Sequence, residues 1–515
     1  MVDTRYEVRQ AFIRAGSGVA TEQPLASAAA SKILASGGNA VDASITASLV
    51  LAVTIPHLGG IGGDYFALIR TPDGRIDYID GSGFSPSKLT RDLLLSKGYS
   101  RVPNRGPLAM TVPGMVDALH KMWRKYGSLE WKKLVEPVAE LAEKGFPASP
   151  SLVRAIKAAR PVLEADPGSK DTYIKNMPEK PGDIVRFPGL GKLLKLIAED
   201  PRSFYEGEPA EKIAEYVQDK GGVLSYDDLK DYQAEWASPI QAEYRGWKIW
   251  EMPPSTQGIT TIHMLKILEQ WKLPRDPVDR FYYILSAAPP AYRVRDVEVG
   301  DPRYMNITVK ELLSDNYIEM LRNMARQGPP RCVEMNRGEG HGDTTYYAVV
   351  DSEGYVVSGI QSLFYPFGSA LTEPTYQITL HGRANGFTLE PSKPNTVGPR
   401  KKPLHTLSAI IAESEDKIFA IGASGGHYRP QQHALFTTSI IDHGYTIGEA
   451  ISAPRLLWTP WTCNIVADKE VDPSRLPWGY EIQYGRTGVG NAVMINGETR
   501  ITATDPRGDG FPFIQ

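Results

Sequence analysis

The chain has 515 residues, 42% of them apolar and 23% charged, with a formal net charge of -3 and a pI near 6.4. That length supports a large core or two to three domains, and the charge balance excludes the basic field that holds nucleic acid. Only two cysteines occur, Cys332 and Cys463. Neither has a Cys or His neighbour at ligand spacing, so no metal site is expected. Such sparse usage fits free core thiols in a reducing compartment, although counting leaves a disulfide between the two open.

From the N-terminus, Met1 to Arg9 carries charges at short intervals and no apolar run follows, so no secretory signal is read and a cytoplasmic location is expected. Residues 24–36 are rich in helix formers and end at Gly37-Gly38, a C-terminal cap. Asn39 is placed to cap a second helix through about Ala52, whose small residues Ala40, Ala43, Ala47 and Ser48 predict close packing on all sides. This most apolar stretch contains Asp42 and falls short of the ~20 residues that span a bilayer, so no membrane partner is expected. A glycine-rich bend, HLGGIGGDY at 57–65, then leads into strands over 65–70 and 75–80 joined by Asp73-Gly74, a hairpin signal. The bend lacks the spacing of a dinucleotide loop, and His57 reads as structural.

Residues 108–235 are mainly helical in pattern, including 131–143 closing at Gly145. Pro253 to Gly258 is a turn-rich connector, and helix follows to about Ala325. The stretch 327–343 is polar and rich in glycine and proline, an exposed loop. Beyond it the pattern becomes strand-like: strands over 344–351 and 355–363, 409–412 and 417–423, and 491–495 and 499–504 form three hairpins. A helical half before a hairpin-rich half predicts an α+β fold with antiparallel sheets.

Two segments could carry chemistry. In HGDTTYYAVVD, 341–351, a loop runs into a strand opened by two threonines. A threonine hydroxyl is a weak nucleophile and needs a base. If the chain is cut between Asp343 and Thr344, the new α-amine of Thr344, with a pKa of about 7.7–8.0, is that base. The plain alternative is a Thr-Thr pair that merely starts a strand, which spacing alone favours. In GASGGH, 422–427, a strand meets a helix over 430–442, and Gly425 and Gly426 could aim backbone N–H groups at an oxyanion. The same residues fit the G-x-S-x-G elbow of α/β-hydrolases with Ser424 as nucleophile, a reading weakened by the hairpins around it. His405 and Thr406, in PLHTLS, mean little alone.

Read together, these blocks resemble the γ-glutamyltranspeptidase family over nearly the whole chain. GGNAVDASITASLVLAVTIPHLGGIGGDYF (37–66), TVPGMV (111–116), FYEG (204–207), GGVLSYDDL (221–229), MPPSTQG (252–258), GDPRY (300–304), TTYYAVVD, GPRKKPL, GASGG, SAPR and DPRG (505–508) follow that family's order. The resemblance implies a four-layer αββα sandwich of two antiparallel sheets, of the N-terminal-nucleophile hydrolase type. It also implies self-cleavage into a large subunit, 1–343, and a small one, 344–515, intertwined in one domain, with a homodimer as a candidate assembly. It implies Thr344 as nucleophile with Thr345 beside it at the substrate, Gly425 and Gly426 at the oxyanion, Ser362 touching the nucleophile, and His405 and Thr406 lining the substrate carboxylate. No cofactor is called for.

Several positions depart from the family pattern. Its carboxylate-binding arginine falls at Ser82 in Asp80-Gly81-Ser82-Gly83-Phe84-Ser85-Pro86, its asparagine after the nucleophile strand at Phe364, and its amine-binding acid at Gly386. The segment 386–403 is short, with no long lid, and Arg383 could capture a carboxylate from another side. The expected substrate is a small amide. By resemblance it is glutathione or another γ-glutamyl compound; the alternative is an acyl amide, as for a cephalosporin-acylase-like enzyme. A serine hydrolase using Ser424 and a non-catalytic relative are the remaining alternatives.

Overall fold

The computed structural model describes residues 7–175, 177–329, 343–475 and 479–515. Fourteen strands make its two large sheets. In chain order they are β1 (Arg9–Arg14), β2 (Gly18–Ala20), β3 (Asp64–Arg70), β4 (Ile76–Gly81), β5 (Glu235–Ala237), β6 (Ile240–Tyr244), β7 (Trp247–Glu251), β8 (Asp343–Val350), β9 (Val356–Phe364), β10 (Ile410–Glu413), β11 (Lys417–Ala423), β12 (Gly490–Asn496), β13 (Thr499–Thr504) and β14 (Phe513–Ile514). One sheet runs β14-β2-β8-β9-β3-β4-β5 and the other β1-β13-β12-β11-β10-β7-β6, every pair antiparallel.

Alternation along the strands builds the layers. On β8, Tyr346, Ala348 and Val350 pack with Phe66, Leu68, Ile411, Ala420 and Val493, filling the space between the sheets. Tyr347 and Val349 turn the other way, onto helices α1 (Pro24–Ala35), α2 (Ala40–Thr54), α3 (Met115–Tyr126) and α4 (Trp131–Lys144). The outer face of the second sheet, through Ile249, Phe419, Ile421 and Ala492, meets α5 (Gly258–Leu268), α6 (Pro277–Glu298) and α7 (Arg429–Ile441). The result is the αββα sandwich. Buried apolar side chains on both faces of each sheet explain why the strands read as near-continuous hydrophobic runs.

Helix α2 is buried at every position, as its small residues predict. Asn39 caps it in a capping box with Asp42. The hairpins at 64–81, 343–364, 410–423 and 490–504 all form. Two readings need correction. The free-thiol expectation fails: Cys463 is disulfide-bonded, and spacing in sequence carries no information on the proximity that a disulfide needs. The only other cysteine, Cys332, lies outside the described residues, as does most of the loop expected at 327–343. The stretch 235–251 also holds three strands that the sequence reading left out, because they are only three to five residues long, although Ile240–Tyr244 does alternate apolar and polar residues.

Candidate active site

Thr344 sits at the start of β8, in mid-sheet, still joined to Asp343. The ladder with β9 shifts register between Asp343 and Thr345, and Asp343 pairs with Phe364. Thr344 is 1% exposed, and its hydroxyl donates to Ser362 Oγ at 3.2 Å. The Phe364 N–H also donates to that oxygen, at 2.8 Å. Ser362 thus holds the Thr344 hydroxyl, as the resemblance implies. Thr345 departs from its expected place at the substrate. Alternation turns it to the opposite face, where its methyl group closes on Gly59 and its hydroxyl is buried without a partner.

The glycine turn comes from the facing sheet. Gly422, near the end of β11, packs so closely on the Tyr346 ring that a Cβ there would lie 2.6 Å from it. Strand β11 therefore ends beside the start of β8. Gly425 takes φ 146° and Gly426 φ 53°, left-handed values that favour glycine. A Cβ on Gly425 would also lie 2.7 Å from Gln432. Both carbonyls are tied back, Gly425 to the Tyr428 N–H and Gly426 to Gln257 Nε2 at 2.8 Å. Ser424 lacks the geometry of a nucleophile elbow. It is buried between antiparallel neighbours, and its Oγ accepts from the Val489 N–H at 2.8 Å.

Opposite Ser362 in the β9–β3 ladder stands Asp64, which the sequence reading did not single out. Its Oδ2 accepts from His381 Nδ1 at 3.1 Å, His405 Nε2 at 2.9 Å and Arg383 Nε at 2.9 Å, all fully buried. Burial alone would raise its pKa, but the adjacent His381 and His405 and their hydrogen bonds hold it well below the usual carboxylate range. His405 is pushed down to about 3, first by burial and then by the Arg383 charge. It is therefore neutral, donating from Nε2 while Nδ1 accepts from the Leu407 N–H.

Arg383 lies over the Phe364 ring, 4.4 Å from its centroid, and its Nη1 reaches Thr406 Oγ1 at 3.4 Å. Ser82 borders the same cluster: its Oγ is buried and unpartnered, and the next residue, Gly83, donates its N–H to Asp64 Oδ1 at 3.4 Å. Gly386 closes the short turn begun by Arg383. It lines a cleft of about 490 Å³ together with Phe387, Leu404, Gly425, His427 and Trp461. The structure thus gathers Thr344, Ser362, Phe364, Ser82, Arg383, His405 and Thr406 around Asp64, with Gly425 linking the group to the cleft. The segment 386–403 is a short strap whose Phe387, Leu389 and Val397 pack on Leu89 and Leu94.

The gamma-glutamyltranspeptidase model matches residues 26–513. The chain belongs to the gamma-glutamyltranspeptidase family. It is 35% identical over 442 residues to the glutathione hydrolase-like YwrD proenzyme of Bacillus subtilis, covering 84% of this chain and 83% of that one. It is 33% identical over 450 residues to the oxamate amidohydrolase proenzyme of Klebsiella pneumoniae, covering 85% and 84%. Among solved structures, the cephalosporin acylase from Bacillus halodurans superposes with a TM-score of 0.91 at 31% identity, over 100% of this chain and 99% of that one. The protein is therefore an amidohydrolase of the N-terminal-threonine type, made as a precursor that cuts itself into two subunits.

Proposed function

We propose that the mature enzyme hydrolyses small amides whose acyl half lacks a free α-amino acid head, with Thr344 as the nucleophile. The observation that carries this reading is the content of the head-group wall. Ser82, Phe364 and Gly386 stand where charged or polar anchors would hold a γ-glutamyl group, and Phe364 gives that wall an aromatic face.

The chemistry begins with self-cleavage. Thr344 Oγ attacks the Asp343 carbonyl carbon and the Asp343–Thr344 C–N bond breaks. Water hydrolyses the resulting ester, leaving residues 1–343 and 344–515. In turnover the freed α-amine of Thr344 takes the Oγ proton as Oγ adds to the substrate carbonyl. The developing oxyanion is met by the Gly425–Gly426 turn. The C–N bond breaks and the amine leaves with that proton; water then cleaves the ester and returns a proton to Oγ. Ser362 supports this reading by holding the hydroxyl in the sheet.

The oxamate amidohydrolase and cephalosporin acylase among the relatives fit a change of acyl group with retained chemistry. A substrate panel tests the proposal: acyl amides without an α-amine should be hydrolysed faster than γ-glutamyl amides. Efficient γ-glutamyl transfer to an acceptor dipeptide would instead restore the family's glutathione-hydrolase activity as the reading.

A further inference from the structure

One tryptophan of the cleft is held in a conformation its side chain does not favour. Trp461 has φ 63°, a left-handed value that a bulky residue adopts only where its surroundings impose it. Its indole Nε1 donates to Asp296 Oδ2 at 2.6 Å, and its ring meets Trp458 edge to face with centroids 5.6 Å apart. Asp296 is fixed in turn, because its Oδ1 accepts from Arg295 Nε at 2.7 Å. Arg295 Nη1 donates to Gln257 Oε1 at 3.0 Å, and Gln257 Nε2 donates to the Gly426 carbonyl at 2.8 Å. The indole is thus tied to the oxyanion turn through three side chains in series. A ring lying against Trp461 sits at a set distance from Gly425 and Gly426.

The cleft offers aromatic surface and no net charge. Phe387, Tyr428 and Trp461 line it together with Leu404 and Pro460. Its charged residues are matched in pairs, Arg295 with Asp296 and Lys393 with Glu390 at 2.6 Å. His427 is held down to about 3, by burial first and then by the Arg295 charge, so it is neutral. A carboxylate here would find no unpaired cation among the described lining residues, whereas a flat apolar ring finds an aromatic face. The cleft also lies on the amine side of the scissile bond. Of the head-group wall only Gly386 reaches it; Ser82, Phe364, Arg383 and Thr406 do not line it. The two halves of an amide extend from the carbonyl carbon in opposite directions. With the acyl half toward that wall, the amine half passes Gly425 into the cleft.

We propose that this cleft receives the amine half of the substrate, and that the Trp461 face selects a flat aromatic amine with no carboxylate of its own. This rests on the reading of Thr344 as nucleophile. Thr344 Oγ adds to the amide carbonyl and the C–N bond breaks. The aromatic amine departs through the cleft with the proton that the α-amine took from Oγ, and water then cleaves the ester. Trp461 determines specificity, and Asp296, Arg295 and Gln257 position it against the oxyanion turn.

The test compares the glutaric monoamides of benzylamine and cyclohexylmethylamine, leaving groups of like size and basicity that differ in one aromatic ring, on self-cleaved enzyme. The wild type should favour the benzyl compound about three- to tenfold in kcat/KM. Trp461→Leu, its self-cleavage checked on a gel as a sign of folding, should lose that preference, and Trp461→Phe, which keeps a ring, should retain part of it. A carboxylate at the para position of the benzyl ring should lower kcat/KM. Equal rates for the two amides in the wild type, a preference that survives Trp461→Leu, or faster cleavage of the para-carboxylate overturns the proposal. A second readout separates it from the hydrolase reading, because the cleft is already formed in the uncut chain. In ligand-observed NMR, benzyl alcohol, an uncharged mimic of the amine half, should bind Thr344→Ala but not the double variant Thr344→Ala/Trp461→Leu. If it does so while neither amide is cleaved by the wild type, the hydrolase reading falls and the aromatic site stands. If benzyl alcohol binds both variants equally, or neither, the aromatic site falls.

Discussion

The two walls of the site have diverged in different ways. One wall, made of the start of β8, Ser362 and the Gly425–Gly426 turn, keeps the parts that break an amide. The other, made of Ser82, Phe364, Gly386 and the Asp64 cluster, is where the proposed change of acyl group resides, and it holds the buried Arg383. The first wall is backbone and hydroxyl geometry locked into two central strands, where a change would disturb both sheets. The second is assembled from strand ends and the short strap at 386–403, which tolerate new side chains. Reaction type is thus set by the sandwich, and substrate choice by what is attached to its rim.

Replacing the nucleophile acts on the preserved wall and has the largest effect. Thr344→Ala should remain one 56.7 kDa chain and lose amidase activity by a factor on the order of 10⁶. The wild type should run as fragments of about 38 and 19 kDa, estimated from their lengths. N-terminal sequencing of the small fragment checks the assignment, and a start at any residue other than Thr344 contradicts it. Ser362→Ala is the finer probe of the same wall. It removes the acceptor at 3.2 Å from the Thr344 hydroxyl, so self-cleavage and turnover should both slow about tenfold. A time course on a denaturing gel alongside a kcat measurement shows whether they slow together.

Acidification probes three buried histidines, of which His405 belongs to the Asp64 cluster and His427 lines the cleft. His57, His405 and His427 are each held down to about 3, chiefly by burial. Their folded values lie below the unfolded value of about 6.5, so on acidification the unfolded chain takes up protons that the native state refuses. Stability should therefore be unaffected by these groups above pH 6.5 and fall between about 6.5 and 3, by roughly 2 kcal/mol per histidine at pH 5. Urea midpoints at pH 7 and pH 5 measure this, and an unchanged midpoint would show that the rings are solvated. The smallest effect on rate belongs to Ser424→Ala. It leaves the Val489 N–H unpaired, costing about 1–3 kcal/mol of stability, while kcat should stay within a few-fold. Labelling of Ser424 by a serine-directed phosphonate with loss of activity would revive the elbow reading.

What the sequence made legible is what local chemistry decides. Asn39 and Asp73-Gly74 mark their cap and turn because the partners are a few residues away. Ordered blocks placed Thr344, Ser362 and the glycine turn. Asp64 stayed hidden because its value comes from His381, Arg383 and His405, hundreds of residues distant. Arg429 was not singled out, since only the fold reveals that its Nη2 is buried and unpaired. The half-exposed strands at 235–251 are too short for their alternation to stand out, and the disulfide at Cys463 depends on spatial proximity alone.

The central claim is that this protein kept the amide-breaking wall and gave up recognition of the α-amino head. The most direct measurement is kcat/KM of the self-cleaved enzyme for γ-glutamyl-p-nitroanilide against glutaryl-p-nitroanilide, which differ only in the α-amine. The account predicts that the glutaryl compound is preferred, because no acid stands at Gly386 to pair with the amine. A strong preference for the γ-glutamyl compound, with efficient transfer to an acceptor, would show that the head-group site had been rebuilt and would contradict the account.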